Sequence, residues 1–146
     1  MMKDEFTTYL RDIEMDETLI RRVIQLYDAY EPIFPTTPSH IFVEDYINDE
    51  GGRVFEHLNI FADRCWLSFD SFVTQEKLNI SWLGVKITIA EIDMKDYDFK
   101  HSNQRSRLTI QVNFTDQKGG ILRGARNNCD YLARIIKEYF WPNSAQ

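Results

Sequence analysis

A proline-rich connector divides the sequence into two parts with different hydrophobic periods. Before Pro32, apolar residues recur at spacings of three and four, which is the period of a helix. Pro32 and Pro35 end that pattern, and residues 36–39 (TTPS) form an irregular connector. After residue 39 the apolar residues alternate with polar ones in short runs, which is the period of a strand. The chain is therefore expected to place helices first and a sheet afterwards.

Two helices are predicted before the connector. The first covers residues 4–14, where Phe6, Leu10 and Ile13 are spaced by four and three. Residues 15–18 (MDET) supply an N-cap and an acidic first turn for the second helix. Its apolar face is too broad to stay in water in a monomer, so the segment is expected to pack on the main domain or on a second copy of the chain. That face consists of Leu19, Ile20, Val23, Ile24, Leu26, Tyr27 and Tyr30.

Seven short strands and a closing helix are predicted after the connector. No helical pattern separates consecutive strands, which favours an antiparallel sheet that curls into a barrel or sandwich. An amphipathic helix is predicted from Gly120 to Phe140, because placement at about 100° per residue puts its apolar side chains on one face. That face includes Leu122, Ala125, Cys129, Leu132 and Ile136. The predicted strands are residues 41–47, 53–61, 65–73, 78–82, 86–92, 97–100 and 107–114.

Composition places the chain among globular proteins. Of its 146 residues 43% are hydrophobic and 14% aromatic, which is too many for a disordered segment. The chain lacks an apolar run long enough to cross a membrane, and residues 1–6 do not resemble a secretory signal, so a cytoplasmic protein without integral membrane association is expected. Cys65 and Cys129 stand outside any CxxC pattern, which predicts two buried thiols and no disulfide.

The order of predicted elements from residue 40 to residue 140 resembles the pleckstrin-homology superfold and its bacterial and GRAM-type relatives. Residues 58–69 look like the second hairpin of that fold, and residues 78–92 are similar to its fourth and fifth strands. The resemblance implies an α+β protein in which the closing helix plugs one open end of a barrel. It also implies a scaffold that binds proteins, peptides or lipids and seldom catalyses.

The resemblance divides the chain into a helical segment (residues 1–35), a barrel domain (40–141) and a short tail (142–146). Lipid-binding members of the superfold carry Lys and Arg on the first hairpin. Here that turn, residues 48–53, reads NDEGGR, and its acidic residues would repel a phosphate. Binding of a phosphoinositide is therefore not expected.

Charge is distributed unevenly along the chain. The net charge is −6, yet residues 103–146 hold 7 basic and 3 acidic side chains. One interpretation is a solvated helix face; the other is a surface for an anionic partner. The negative net charge and the lack of an RNP-type aromatic motif argue against nucleic acid as that partner. The candidate surface consists of Arg105, Arg107, Arg123, Arg126, Arg134 and Lys137.

Catalytic and metal-binding signatures are missing from the sequence. His40, His57 and His101 are isolated, with no HxH or HExxH pattern, and His57 is expected to be a half-buried histidine with its hydrogen bonds satisfied. Gly119 and Gly120 lack the continuation of a phosphate-binding loop. A non-enzymatic protein without metal or cofactor is expected. The acidic cluster of the predicted sheet is interpreted as solvated charges: Glu91, Asp93, Asp96 and Asp98.

Two hypotheses of function follow from these features. The first is a non-enzymatic module that binds a protein or peptide, for example an adaptor or an immunity or inhibitor protein. An open strand edge would accept the partner, and Trp66, Trp82 or Trp141 would anchor it. The second hypothesis is a small-molecule-binding protein or enzyme with an aromatic-lined cavity in a curved sheet. A homo-oligomer is open under both.

Overall fold

Helices come first and strands follow, as the change of hydrophobic period predicts. The computed structural model describes residues 3–83, 87–114 and 119–144, with residues 81–83 as backbone only. Helices α1 (Lys3–Asp12) and α2 (Glu17–Tyr30) precede a 3-10 turn at Glu31–Ile33. The strands are β1 (His40–Ile47), β2 (Arg53–Ala62), β3 (Cys65–Phe69), β4 (Leu78–Leu83), β5 (Ile87–Lys95), β6 (Arg107–Phe114) and β7 (Gly120–Ala125). The chain ends in α3 (Asn128–Ile135), a π-helical segment (Ile136–Phe140) and the short α4 (Trp141–Asn143).

Local sequence explains the two N-terminal helices. The Asp16 carboxylate accepts a hydrogen bond from the Leu19 amide at 2.9 Å, which confirms an N-cap before α2. Both helices bury their apolar faces, and the Tyr30 ring lies 5.0 Å from the Phe69 ring of β3. Helix α2 therefore packs against the sheet that contains β3. Within the described residues, no helix combines the length and the hydrophobicity that crossing a bilayer requires.

The strands form two antiparallel sheets. One has the order β1-β2-β3-β4 and the other β5-β6-β7. The α+β class is confirmed, but the seven strands do not form the single curled sheet or barrel that the sequence predicts. Strands β1 and β7 are neighbours, but no backbone ladder joins them. Instead, side-chain carboxylates of β1 accept hydrogen bonds from the outward backbone amides of β7. Glu44 accepts from the Arg123 amide at 3.2 Å, and Asp45 accepts from the Ala125 amide at 3.0 Å.

Two of the predicted elements are wrong: the start of the closing helix and the strand at residues 97–100. Gly120–Ala125 is strand β7, not the start of a helix, and it pairs with β6 so that Leu122 is buried while Ile121 is exposed. The predicted strand at residues 97–100 is a turn. Asp96 and Phe99 have positive φ there, and the Asp98 carboxylate accepts hydrogen bonds from the amides that follow it. Residue 86 of a predicted strand and residues 145–146 of the predicted tail lie outside the described residues.

Strand β2 faces two different environments. Residues 58 and 60 share a face with Phe69, so they point toward the N-terminal helices. Asn59 and Phe61 lie on the opposite face, where the Phe61 ring is 5.6 Å from the Phe140 ring. This second face closes against the C-terminal helical region and the second sheet. It is the only face of β2 available to line a space between the two sheets.

Candidate functional site

The six candidate cationic residues are distributed over several elements. Arg105 and Arg107 lie before and at the start of β6, and Arg123 lies on β7. Arg126 occupies the turn after β7, at a φ of 54°. Arg134 is on α3, and Lys137 is on the π-helical segment. The single helix flank on which the sequence places four of these residues does not exist, because Arg123 and Arg126 precede the helix.

Arg123 is paired within the chain. Its Nη2 lies 3.0 Å from Glu44 Oε1 and 3.2 Å from Glu56 Oε2. Its guanidinium also lies over the Tyr46 ring, 4.7 Å from the centroid. Arg107 donates to the carbonyls of residues 104 and 106. Arg123 therefore joins β7 to β1 and β2, whereas Arg107 is held by local carbonyls and forms no ion pair with a described carboxylate.

Arg134 and Lys137 line a groove of about 720 Å³ on the other side of the second sheet. The turn after β5 forms one wall, and the C-terminal helical region forms the other. Two aromatic side chains of the lining are half in solvent, Phe99 at 46% exposure and Trp141 at 53%. Ile92 and Tyr97 add partly buried apolar surface. We call this the helix groove.

The helix groove has a positive rim. Its carboxylates have partners inside the molecule: Asp130 accepts from Tyr97 Oη at 2.8 Å and from Ser102 Oγ at 2.6 Å, and Glu138 lies 2.9 Å from His40 Nε2. Burial and the neighbouring Asp130 carboxylate raise the pKa of Tyr97, so the tyrosine remains a donor. Within the described residues, Lys100, Arg134 and Lys137 form no ion pair with a carboxylate.

Strand β5 borders the helix groove and is an edge strand. In its sheet it pairs with β6 alone, and an isolated bridge from Ile87 to Ser144 covers only its first residue. The rest of its outer edge has no strand partner in the described chain. Met94, near its end, is about half exposed.

The predicted aromatic anchors differ from one another. Trp66 is buried, and its ring lies 5.7 Å from that of Phe140 and 6.0 Å from that of Phe114, so its prediction as an exposed anchor is wrong. The Trp82 side chain lies outside the described residues. Trp141 is exposed at the helix groove.

A second opening lies between the two sheets and has a polar lining. This inter-sheet cleft has a volume of about 430 Å³. Trp66 and Phe114 line its apolar end, and Glu44, His57 and Asn59 lie at the polar end. The remaining polar lining residues are Ser68, Asp70 and Asn79.

Three side chains beside the inter-sheet cleft have the spacing of metal ligands. One ligand atom each from Glu44, Glu56 and His57 lies within 4.8 Å of the others. The Ser71 amide donates to His57 Nδ1 at 3.0 Å, so the neutral ring carries its proton on Nε2, which is directed to Glu44 at 3.7 Å. Arg123 already binds both carboxylates through its Nη2. The trio thus fits an ion-pair cluster better than a metal site, and the expectation of a half-buried, hydrogen-bonded His57 is confirmed.

A buried polar network that the sequence analysis missed joins the N-terminal helices to the sheets. Asp45 accepts from Arg53 Nε at 2.6 Å and from Asn128 Nδ2 at 2.8 Å. Asn128 also accepts from Tyr9 Oη at 2.9 Å, and that hydroxyl accepts from the Val43 amide at 2.9 Å. Burial raises the pKa of the Asp45 carboxyl, although the three donors oppose this shift. The only signal in the sequence is the adjacent Glu44 and Asp45 inside an apolar run.

The remaining titratable clusters are exposed. Glu91, Asp93, Asp96 and Asp98 all lie in solvent, which confirms their interpretation as solvated charges. The amides of residues 100 and 101 donate to Asp98 and lower the pKa of its carboxyl.

Both cysteines are free and buried, as predicted. Burial raises the pKa of the Cys129 thiol to about 12 and raises the pKa of Cys65 as well. We therefore expect Ellman's reagent at pH 8 to label neither thiol of the native protein within minutes and both thiols in denaturant. Rapid reaction of one thiol in the native protein would contradict the buried environment described here.

Comparison of the chain with protein-family models, with characterised proteins and with solved structures found no match. The helix groove has exposed aromatic side chains, cations without an ion pair and an open strand edge. The inter-sheet cleft has buried polar groups and an excess of carboxylates.

Proposed function

We propose that the protein is a non-enzymatic interaction module that binds an acidic, partly apolar peptide segment of another protein in the helix groove. One observation carries the proposal: exposed aromatic side chains, cations without an ion pair and an open β edge meet in the same groove. Adaptors and inhibitors of other proteins use surfaces of this kind.

The apolar part of the groove provides the anchor. Exposed tryptophan and phenylalanine are costly in water, and aromatic side chains account for a large share of binding energy at protein interfaces. Trp141 and Phe99 stand on opposite walls, one after the π-helical segment and the other in the turn after β5. A partner side chain inserted between them would remove both from water.

The rim selects for an acidic partner. Three cations, Lys100, Arg134 and Lys137, outnumber the two carboxylates of the lining, Asp130 and Glu138, whose oxygens already accept hydrogen bonds from Tyr97, Ser102 and His40. Cations without an ion pair favour association with an anionic surface, and the rim contributes to the rate and the selectivity of association. The earlier candidate surface is thus reduced to two of its members, Arg134 and Lys137, together with Lys100.

The edge of β5 provides a template for the partner backbone. An extended peptide can add a strand to an open edge and gain main-chain hydrogen bonds, while alternate side chains enter neighbouring pockets.

Four of the strands form one antiparallel sheet, three form another, and a helix follows. This order supports the proposed resemblance to the pleckstrin-homology superfold, whose members include many binding scaffolds.

Peptide display tests the proposal directly. The full chain is immobilised and used to select from a random peptide library on phage. We expect enriched peptides to combine Asp or Glu with an aromatic or large aliphatic residue. Trp141→Ala is expected to weaken their binding about tenfold or more, which is the scale of an interface anchor, and Lys137→Glu is expected to weaken it further at low salt.

The control for this experiment is Arg105→Glu, because Arg105 is exposed but does not line the groove. It reverses a charge of the same region and should leave peptide affinity within about twofold. Trp141 is half in solvent, so its truncation should leave thermal stability unchanged. Selection of peptides without acidic residues, or binding insensitive to Trp141→Ala, would refute the proposal.

A further inference from the structure

The inter-sheet cleft lies apart from the helix groove and shares none of its lining residues. It is polar where the rest of the space between the sheets is filled by aromatic rings. Phe61, Trp66 and Phe140 pack against one another at the apolar end. The polar end is therefore not an unfilled part of the hydrophobic core, because polar and charged side chains line it.

The polar residues of the cleft form a row across the first sheet. Asn59 of β2 is directly opposite Ser68 of β3, and Ser68 is directly opposite Asn79 of β4. Residues opposite one another in a sheet share a face, so all three belong to the face that looks toward the second sheet. His57 and Asp70 extend the row, since each lies two residues from a member of it.

Ser68 is the member of the row without a hydrogen-bond partner. Asn59 is satisfied, because its Oδ1 accepts from Trp66 Nε1 at 2.9 Å and its Nδ2 donates to the Phe42 carbonyl at 3.3 Å. Ser68 is only 6% exposed, and its hydroxyl has no hydrogen bond to any described residue. Because Ser68 lines the cleft, its hydroxyl keeps a donor and an acceptor that the chain does not use and that a group entering the cleft can bind.

Charge decides which kind of group is bound. The lining holds two carboxylates, Glu44 and Asp70, and Glu56 lies beside Glu44. Arg123 is the one described cation in contact with this cluster, and it binds the two glutamates, not Asp70. Asp70 accepts from Asn79 Nδ2 at 3.2 Å and forms no ion pair with a described lysine or arginine; His57 Nδ1, which accepts from the Ser71 amide, lies 3.8 Å from it.

We propose that the inter-sheet cleft binds an alkylammonium or alkylguanidinium group. Its N–H groups donate to the Asp70 carboxylate and the Ser68 hydroxyl, and its alkyl chain lies toward Trp66. A guanidinium already binds carboxylates beside this position, because Arg123 donates hydrogen bonds to Glu44 and Glu56. The volume of about 430 Å³ is in the range of small-molecule sites.

Two sources supply this cation. One is a free amine, such as a polyamine or agmatine, and the other is a lysine or arginine side chain of a partner protein. Both present the same head group on an aliphatic chain. A free ligand would fill the cleft by itself, whereas a partner side chain would need further contacts outside it.

The test is an NMR titration of the full chain with agmatine, with n-butylammonium and with sodium butyrate as the anionic control. The Trp66 indole N–H and the Asn59 amide are the reporters, since they bond to each other in the cleft. We expect both amines to shift these signals with saturation and butyrate to shift neither. A peptide with one central arginine distinguishes the sources: much tighter binding of the peptide than of agmatine indicates a protein partner.

Asp70→Asn is the first variant, because the side chain is largely exposed and the substitution keeps its shape. It should weaken agmatine binding about tenfold, the scale of a hydrogen bond to a charged group. Asp49→Asn, which removes one exposed charge in the β1–β2 turn, should change it less than twofold. Ser68→Ala should weaken it with no loss of thermal stability, since the hydroxyl has no internal partner.

Three results would overturn the proposal: no amine shifts the reporters, butyrate binds as well as agmatine, or Asp70→Asn behaves like Asp49→Asn. None of them bears on the helix groove, whose test uses Trp141 and Lys137. Failure at one site is therefore distinguishable from failure at the other.

Discussion

Asp45→Ala is expected to lower the free energy of unfolding by about 3–5 kcal/mol, which is the cost of breaking a buried ion pair by removing one partner. The Asp45 side chain has no exposed area, and that of Arg53 is 7% exposed. The variant leaves the Arg53 guanidinium buried with its main acceptor gone. It also leaves the Ala125 amide and the Asn128 amide group without their carboxylate.

Urea denaturation of Asp45→Ala, Arg53→Ala and the double variant measures this effect. We expect the two single changes to be strongly non-additive, because each removes the reason for the other residue to be buried. Asp49→Ala is the matched control: it removes an exposed aspartate of the neighbouring turn and should change stability by less than about 0.5 kcal/mol. Equal effects of Asp45→Ala and Asp49→Ala would show that the network does not hold β1 to β7.

This network also explains why the sheets stay separate. An ordinary barrel would close by pairing the edge strands, but the outward amides of Arg123 and Ala125 already donate to Glu44 and Asp45. A register shift between Glu44 and Asp45 passes over Glu56 on β2 and accompanies this contact. Side-chain carboxylates thus replace a backbone ladder. Whether carboxylates or a backbone ladder join β1 to β7 cannot be predicted from the sequence, because this depends on which strands become neighbours.

The hydrophobic period of the sequence predicted most elements, but it failed where a helical period and a strand period overlap. From Leu122 to Cys129, burial recurs at a spacing that suits a helix, yet the first half is a strand. One signal in the sequence favoured the strand: Gly120 and Gly124 are poor helix formers. The turn at residues 97–100 resembled a strand in composition. Its positive φ values at Asp96 and Phe99 follow from tertiary structure and local turn chemistry.

The candidate site was predictable only in part. Charge counting selected Arg134 and Lys137, which do line the helix groove, but it also selected Arg123, which is paired with Glu44 and Glu56. A sequence shows where charges lie along the chain, not which of them find partners across it. The inter-sheet cleft could not be predicted from the sequence for the same reason. Its polar row becomes visible only when the register of β2, β3 and β4 is known.

The second large effect concerns the closing helix. Helix α3 contacts β1, β6 and β7, so it bridges strands of both sheets. Leu132 is completely buried in the hydrophobic core cluster. Leu132→Ala is therefore expected to lower the free energy of unfolding by about 2–5 kcal/mol through lost burial and the cavity left behind.

Denaturant melts of Leu132→Ala and of Ile121→Ala measure this contribution. Ile121 is 54% exposed on β7, so its truncation removes a large aliphatic side chain without leaving a cavity, and it should cost less than about 1 kcal/mol. The comparison isolates burial from side-chain chemistry. Because α3 forms one wall of the helix groove, peptide binding by folded Leu132→Ala should also weaken if the cavity lets the helix shift. A cost near that of Ile121→Ala would mean that α3 is not docked between the sheets.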